Sequence, residues 1–428
     1  MGRQQSGSIA AVCALLLGAE ARADLTYEVE AGVGHSDNIT RVSESQIDET
    51  LATLGAHLDW TKTTRRLDAD VFVDLDYVEY LGNTYTGEVV GTADANLTFG
   101  IVPERFTWQV QDSFGQAQSD PFSPVTPENS ENVNYFTTGP DLTLGIGTQN
   151  AVRLFARYSP THYEVTDLNG ESVSGGLSFI RHLSGASQLS LNATTADNTF
   201  DNPANTGYER RSASVGYDFT GGRTTISTQV GYSWMELDDG TKNGGELFEL
   251  SITREVSSSS SLALTAGSQF SDAGDALRGI SSGGGSGGGP SQILATSDPY
   301  ENRDLSLTWN FRRNRTGITL GVTYEENEYE VQTQFDRTRV MYNASFSRQL
   351  QPTLTLMLQA RYSEDEYDVS AQKFDDLQAT ASLTWEMSRH LGLRLSLEQY
   401  DRGSSHAGGD YDERRAFLTL TYSGGRAQ

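Results

Sequence analysis

Cysteine is almost missing from this chain: among 428 residues there is one, Cys13. Without a second thiol there is no internal disulfide and no cysteine-built metal site. Histidine is scarce too, and His35, His57, His162, His182, His390 and His406 stand far apart, with no short metal-ligand spacing. Long apolar runs are absent. Beyond the first two dozen residues nothing approaches the roughly 18 uninterrupted apolar residues of a helical membrane span, which excludes a polytopic helical membrane protein. Basic residues are few, 31 Lys plus Arg against 57 Asp plus Glu, for a formal net charge of -26. Such a balance cannot neutralise phosphates, so nucleic acid is not an expected partner. The hydrophobic fraction is only 36%, but 10% aromatic residues and many β-branched runs exclude a disordered polymer.

What is present begins with an address. Arg3 opens a short polar stretch, Ile9 to Gly18 reads IAAVCALLLG, and Ala21-Arg22-Ala23 supplies the small-x-small pattern of a cleavage site before Asp24. We read residues 1–23 as a secretory signal and 24–428 as one domain. Removing the signal takes away Cys13, Arg3, Glu20 and Arg22, leaving 29 basic and 56 acidic residues and a charge of -27.

From Leu25 to Tyr422 the dominant signal is alternation with period two. Leu67, Ala69, Val71, Val73, Leu75 and Tyr77 share one face, and Asp68, Asp70, Phe72, Asp74 and Asp76 the other. Leu391, Leu393, Leu395 and Leu397 likewise oppose Arg394, Ser396 and Glu398. About 20 such runs of roughly 9 to 13 residues follow one another, the length of a tilted strand crossing a bilayer and about twice that of a sandwich strand. The expected fold is all-β: an antiparallel transmembrane barrel with short periplasmic turns and long extracellular loops.

The short connections are Thr61 to Arg66, Gly100 to Arg105, Gly145 to Asn150, Arg181 to Ser187, Thr220 to Thr224, Arg254 to Ser260, Arg312 to Thr316, Arg348 to Thr353 and Ser388 to Leu391. Together these turns carry a charge of about +10 and the ten longer loops about -31. Amphipathic rings form two girdles on the apolar face. Trp60, Phe106, Trp108, Phe219, Trp309, Phe311, Phe346 and Trp385 lie near turns, while Tyr77, Tyr158, Tyr232, Trp234, Tyr324 and Tyr362 lie near loops. A proline inside the sixth strand, at Gly139-Pro140, would delete a ladder hydrogen bond, and a count of 18 strands is the alternative to 20. Ser281 to Ser291 reads SSGGGSGGGPS, a flexible surface insert in the extracellular loop near 271–304.

Tyr27 to Thr40 reads YEVEAGVGHSDNIT, and its core, Gly32, Gly34, Ser36, Asp37 and Asn38 with the residues between and Ile39, resembles the opening motif of an outer-membrane β-barrel porin family often encoded beside exopolysaccharide synthesis and export genes. The motif is short, whereas the barrel pattern spans nearly all of the chain after residue 23. The resemblance implies a protein of the cell outer membrane, accessory to polysaccharide secretion, with polysaccharide export components among its partners. It supplies no catalytic residues. Arg415 to Tyr422, RAFLTLTY, resembles the final-strand signal read by the barrel assembly machinery, here followed by Ser423 to Gln428.

No strand-turn-helix nucleophile elbow frames a serine, so no catalytic residue and no cofactor is expected. Asp37-Asn38 and Asp238-Asp239-Gly240 offer oxygen ligands, but neither completes a calcium loop, and solvated carboxylates are the simpler reading. The stripe Asp68, Asp70, Asp74 and Asp76 has two readings. Lumen residues of any water-filled barrel are polar; alternatively, confined carboxylates focus negative potential and favour cations. Arg153, Arg157, Arg361 and Arg394 face inward by the same parity and could oppose the acidic wall to form a constriction. Two function classes stay open: a channel for solutes or a secreted glycan, and a structural or adhesive barrel with a closed lumen and acidic partner-binding loops. Membrane lipid and lipopolysaccharide are expected neighbours in either case.

Overall fold

A computed structural model describes residues 24–282, 293–406 and 408–426. The signal assigned to 1–23, with Cys13, and the Gly/Ser insert after its first two residues lie outside them. In chain order the elements are β1 (Asp24–Ser36), β2 (Glu49–Thr63), β3 (Leu67–Tyr80), β4 (Glu88–Val102), β5 (Phe106–Gln118), β6 (Ser130–Ile146), β7 (Asn150–Tyr163), β8 (Gly170–His182), β9 (Ser187–Phe200), β10 (Tyr208–Thr220), β11 (Thr224–Leu237), β12 (Lys242–Ser257), β13 (Ser260–Ser271), helix α1 (Ala273–Ser282), β14 (Ile293–Leu294), β15 (Tyr300–Arg313), β16 (Thr316–Tyr329), β17 (Arg337–Gln351), β18 (Leu354–Tyr367), β19 (Lys373–Glu386), β20 (Leu391–Ser404) and β21 (Tyr411–Arg426).

All strands except β14 form one closed antiparallel barrel of 20 strands. The first pairs with the last from Leu25↔Arg426 to Ser36↔Arg415, so residues after Tyr422 lengthen the closing strand. Closure satisfies the edge backbone groups that lipid would leave without partners. The nine short turns fall where the charge and spacing placed them. Strands run from 12 to 17 residues, longer than the alternation suggested. Side-chain alternation marks only the apolar band, while backbone pairing continues past it.

Cross-strand partners share a face. Leu393, Leu395 and Leu397 stand level with Leu420, Leu418 and Ala416, and Leu395, Leu397, Leu418 and Leu420 are about half exposed with no protein above them. Facing water, each would forgo about 1.5–3 kcal/mol of burial. Repeated around the barrel, that cost makes lipid the suitable surroundings. Both aromatic girdles lie on this outer face. Trp309 and Phe311 stack at 6.0 Å near one turn, and Tyr342 and Tyr362 at 6.3 Å on the loop side.

The proline does not break the sixth strand. Pro140 sits opposite Trp108, and the register with β7 is the same on both sides of the lost rungs, Thr138↔Tyr158 and Asp141↔Phe155. Gly139 makes the close approach feasible, since a Cβ there would stand 1.9 Å from the Ala156 carbonyl oxygen. The strand count is therefore 20 and not 18.

In the connection from β13 to β15, the described residues on either side of the Gly/Ser insert turn into the barrel, where the sequence suggested an extracellular loop. Its first part coils into α1, and Ile293–Leu294 pairs in parallel with Ala117–Gln118 of β5. Ala273, Leu277 and Ile293 are buried against Ala117, Val133, Tyr135 and Tyr163, on the lumen side of the wall. The physical reason is amphipathicity: Ser271 to Arg278 carries charges three residues apart and apolar residues between them, a helix with one face to bury.

Candidate functional site

Among the described residues the barrel encloses a polar lumen, and its wall is legible strand by strand. On β3, Asp68 and Asp70 stand level with Thr63 and Thr61 of β2, Asp74 with His57, and Asp76 with Gly55. On β1, Glu28 is level with His57 and Glu30 with Gly55. The stripe of four aspartates is thus part of a broader acidic arc that includes Glu28 and Glu30. Asp68 accepts a hydrogen bond from Thr63 Oγ1 at 2.8 Å, and Asp74 is well exposed to the lumen, 3.9 Å from His57 Nδ1.

The four inward arginines do not form one opposed basic wall. Arg394 of β20 stands inside the acidic arc, donating to Glu28 at 2.7 Å and Glu30 at 2.8 Å. Arg153 and Arg157 of β7 share Asp141 of β6, at 2.6 and 2.5 Å, and Arg157 also donates to Gln109. Arg361 of β18 faces Asn343 and Gln378. Arg339 and Asp365 lie near it, bonded to each other at 2.5 Å. Arg153, Arg157 and Arg394 are paired with nearby carboxylates instead of forming a separate basic cluster against the acidic wall, and an acidic excess remains between β1 and β3.

On the arc from β7 to β15 the lumen wall is recessed. A cavity of about 470 Å³ there is lined by Arg153, Gln188, Asn192, Asp218, Glu249 and Asp304 among other polar side chains from β7 to β15. Side chains able to donate or accept hydrogen bonds dominate the lining, which suits hydrated polar solutes.

Loop segments and α1 reach into the half nearer the loops. Arg41, from the first loop, donates to Glu413 at 2.9 Å and to the Val125 carbonyl oxygen of the third. Arg402 donates to Asp376 at 2.7 Å and to the Ser123 carbonyl oxygen at 3.4 Å. Phe122 packs edge-on against Tyr367, centroids 4.8 Å apart. On the other side α1 is tied to β10: the Tyr208 hydroxyl donates to Asp272 at 2.7 Å, and Arg210 donates to Asp275 at 3.0 Å, which Arg278 also grips. Burial raises the Asp275 carboxyl, but the Arg210 and Arg278 guanidiniums outweigh it and hold the group below the usual range. Burial and the neighbouring Asp275 charge push Asp272 up.

The motif residues have a structural place in this arrangement. Gly32 lies between Thr53 and Thr419, and Gly34 lies against the Phe417 ring, where a Cβ would stand 2.3 Å from ring carbons. Ser36 Oγ donates to Glu413. The Asp37 carboxylate accepts from the Arg414 N–H at 2.7 Å, and Asn38 Nδ2 donates to the carbonyl oxygens of Val42 and Asp412, each at 2.8 Å. These residues clasp the first strand to the last and turn the first loop inward. Asp239, the other candidate ion ligand, accepts from the Thr241 N–H in its own turn. The residues missed from the sequence are the loop-side fastenings, Arg41, Glu413, Arg402, Tyr208, Arg210, Asp272 and Asp275. A signal existed only for the helix, in the spacing Asp272, Asp275, Arg278.

A closed 20-strand barrel with an apolar exterior and a polar lumen is the architecture of outer-membrane barrels. The chain's residues 249–423, from the middle of β12 through most of β21, match the family described as putative beta-barrel porin 2. That match bears out the resemblance drawn from the first strand, on a different part of the chain. Among solved structures, a mutant of the ferric enterobactin receptor PfeA from Pseudomonas aeruginosa aligns over 95% of this chain and 81% of its own, with 9% identity and a TM-score of 0.51. A second PfeA mutant aligns over the same shares at 8% and 0.50. OccK2 from the same organism aligns over 94% of this chain and 98% of its own at 10% identity, with a TM-score of 0.39. At these identities the likeness concerns the fold alone. No curated protein matches the sequence.

Proposed function

We propose that the chain is a non-enzymatic channel of the outer membrane, admitting small neutral or cationic solutes through its polar lumen. The carrying observation is the polar-lined cavity of about 470 Å³ on the lumen wall of a barrel whose outer face is apolar. The acidic excess of β1 and β3, with Asp68, Asp70, Asp74 and Asp76 in the stripe, supports a cation preference. The porin-family match supports passage, and the motif resemblance supports a role beside exopolysaccharide secretion, for which a neutral or cationic glycan suits this wall better than an anionic one. Basic turns and acidic loops support periplasmic turns and an outward loop end, with lipid, lipopolysaccharide and the assembly machinery as partners.

A second reading, a closed structural or adhesive barrel, draws on the loop-side packing of Arg41, Phe122 and α1. Planar-bilayer recording separates the two. Steps of conductance with a cation-signed reversal potential in a KCl gradient are expected. A folded, heat-modifiable barrel that never conducts would give the second reading the case.

A further inference from the structure

Among the described residues the wall comes apart toward the loops between β4 and β5 and, over a shorter stretch, between β12 and β13, where the ladder stops at Phe248↔Ser268; only the first is met by another segment of the chain. The ladder between β4 and β5 runs from Val102↔Phe106 to Ala93↔Phe114 and stops. Beyond it, among the described residues, Glu88–Thr92 of β4 pairs with β3 alone. In a continued register Val90 would meet Ala117. Instead Ala117 and Gln118 pair in parallel with Ile293 and Leu294, and the Ala295 N–H donates to the Gln118 carbonyl oxygen at 2.9 Å. Gly91 stands at the divergence with φ +119, and a Cβ there would lie 2.1 Å from the Asp74 carbonyl oxygen, so β4 is drawn hard against β3.

A free strand edge at a membrane wall leaves backbone groups unpaired, and the protein covers this one with a segment brought across the lumen. The cover has two chemical faces. Against the lumen face of β5, β6 and β7, beside the split, Leu277 and Ile293 are buried among Ala117, Val133, Tyr135 and Tyr163, and Gly115 is small enough to admit the Leu277 methyl, which would lie 2.7 Å from a Cβ. Away from it, Asp272 and Asp275 are held by Tyr208 and Arg210. An apolar face toward the wall and charged groups toward the lumen make the cover itself an amphiphile.

We propose that the β4–β5 split is a lateral portal between lumen and membrane, that α1 and β14 are its displaceable stopper, and that the ligand it admits is an amphiphile. The apolar chain of that ligand takes the place of Leu277 and Ile293, with its polar head toward Arg210. This goes beyond axial conduction, which needs no opening in the wall.

The test uses outer-membrane vesicles carrying the full chain with Val133→Cys, or Tyr163→Cys should the first fail to fold. Two reagents are compared, the membrane-partitioning N-(1-pyrenyl)maleimide and a sulfonated maleimide confined to water. With the stopper seated, both react slowly. Ala295→Pro, which deletes the hydrogen bond to Gln118, combined with Leu277→Ser should speed the pyrenyl reagent at least about tenfold, as expected for loss of a packed leucine. Lauric acid should then protect the cysteine. Acceleration of the sulfonated reagent alone, acceleration of neither in a heat-modifiable barrel, or no protection by lauric acid would overturn the portal. Axial conductance measured on the same vesicles reports separately on the channel.

Discussion

Ser36 and Glu413 are 377 residues apart in the chain, yet Ser36 Oγ donates to the Glu413 carboxylate at 2.6 Å, with both residues inaccessible to solvent. The bond crosses the closing seam between β1 and β21, where Glu413 also receives Arg41 at 2.9 Å and Arg415 at 2.6 Å. One carboxylate therefore fastens the last strand, the first strand and the first loop. The serine of the opening motif is there to satisfy its remaining acceptor capacity.

Because Glu413 neutralises two guanidiniums, Glu413→Ala should destabilise the barrel by about 3–5 kcal/mol, the usual result of leaving a buried charge without its partner. Ser36→Ala removes one hydrogen bond to a charged group and should cost about 1.5–3 kcal/mol. Urea titration of the heat-modifiable band checks both. Equal midpoints for the two variants and the parent would show that the seam is not fastened here.

Ion selectivity should respond in opposite directions to two sets of changes in one arc. Replacing Asp68, Asp70, Asp74 and Asp76 by Asn should keep the fold, since these side chains face water, and move the reversal potential toward zero. Arg394→Gln frees Glu28 and Glu30 from their 2.7 and 2.8 Å partners and should increase cation preference. Screening over a Debye length of about 8 Å at physiological salt keeps both effects modest and makes them grow in dilute KCl. Anion preference in the parent, or no response to either change, would remove this arc from the selectivity mechanism.

Much of the barrel could be read beforehand because a strand in a lipid-exposed wall writes its faces into the sequence every second residue. Leu67 to Tyr77 revealed their orientation that way, and Asp68 to Asp76 the lumen. Turn positions were equally clear from short basic breaks such as Arg312 to Thr316. The lumen contents were not. Whether Arg394 opposes Asp74 or neutralises its neighbours depends on where β21, the strand beside β20, meets β1 on closure, which brings together residues more than 360 positions apart. The fate of residues 271–304 was obscured by Ser281 to Ser291, whose composition dominates the segment, while the helical spacing of Asp272, Asp275 and Arg278 stood just before it.

The proposed orientation has a direct check. Val165, in the loop between β7 and β8, is 77% exposed, and Asn314 lies in the two-residue turn between β15 and β16. Val165→Cys should react with an impermeant maleimide on intact cells, and Asn314→Cys only after the envelope is opened. The opposite pattern would turn the barrel over.

The seating of α1 should depend on pH through two carboxylates of opposite behaviour. Asp272 is raised above its ordinary 3.8 by burial and by the charge of Asp275, so its share of the attachment is complete below 3.8 and is lost as pH rises through the raised value. Asp275 is held below 3.8 because Arg210 and Arg278 outweigh its burial, so its share is complete above 3.8 and is lost only as pH falls through the lowered value. Above 3.8 only Asp272 of the two still titrates, and the helix should loosen as pH rises through its raised value. Asp272→Asn keeps an acceptor for the Tyr208 hydroxyl and removes the charge that faces Asp275, so it should hold the helix down as pH rises and flatten that limb. Asp275→Asn should loosen it at neutral pH by about 1.5–3 kcal/mol, the worth of a hydrogen bond to a charged group. Labelling of Val133→Cys across a pH series measures the seating directly. If Asp272→Asn leaves the slope unchanged, or Asp275→Asn seats the helix more firmly, the latch does not work through these two groups.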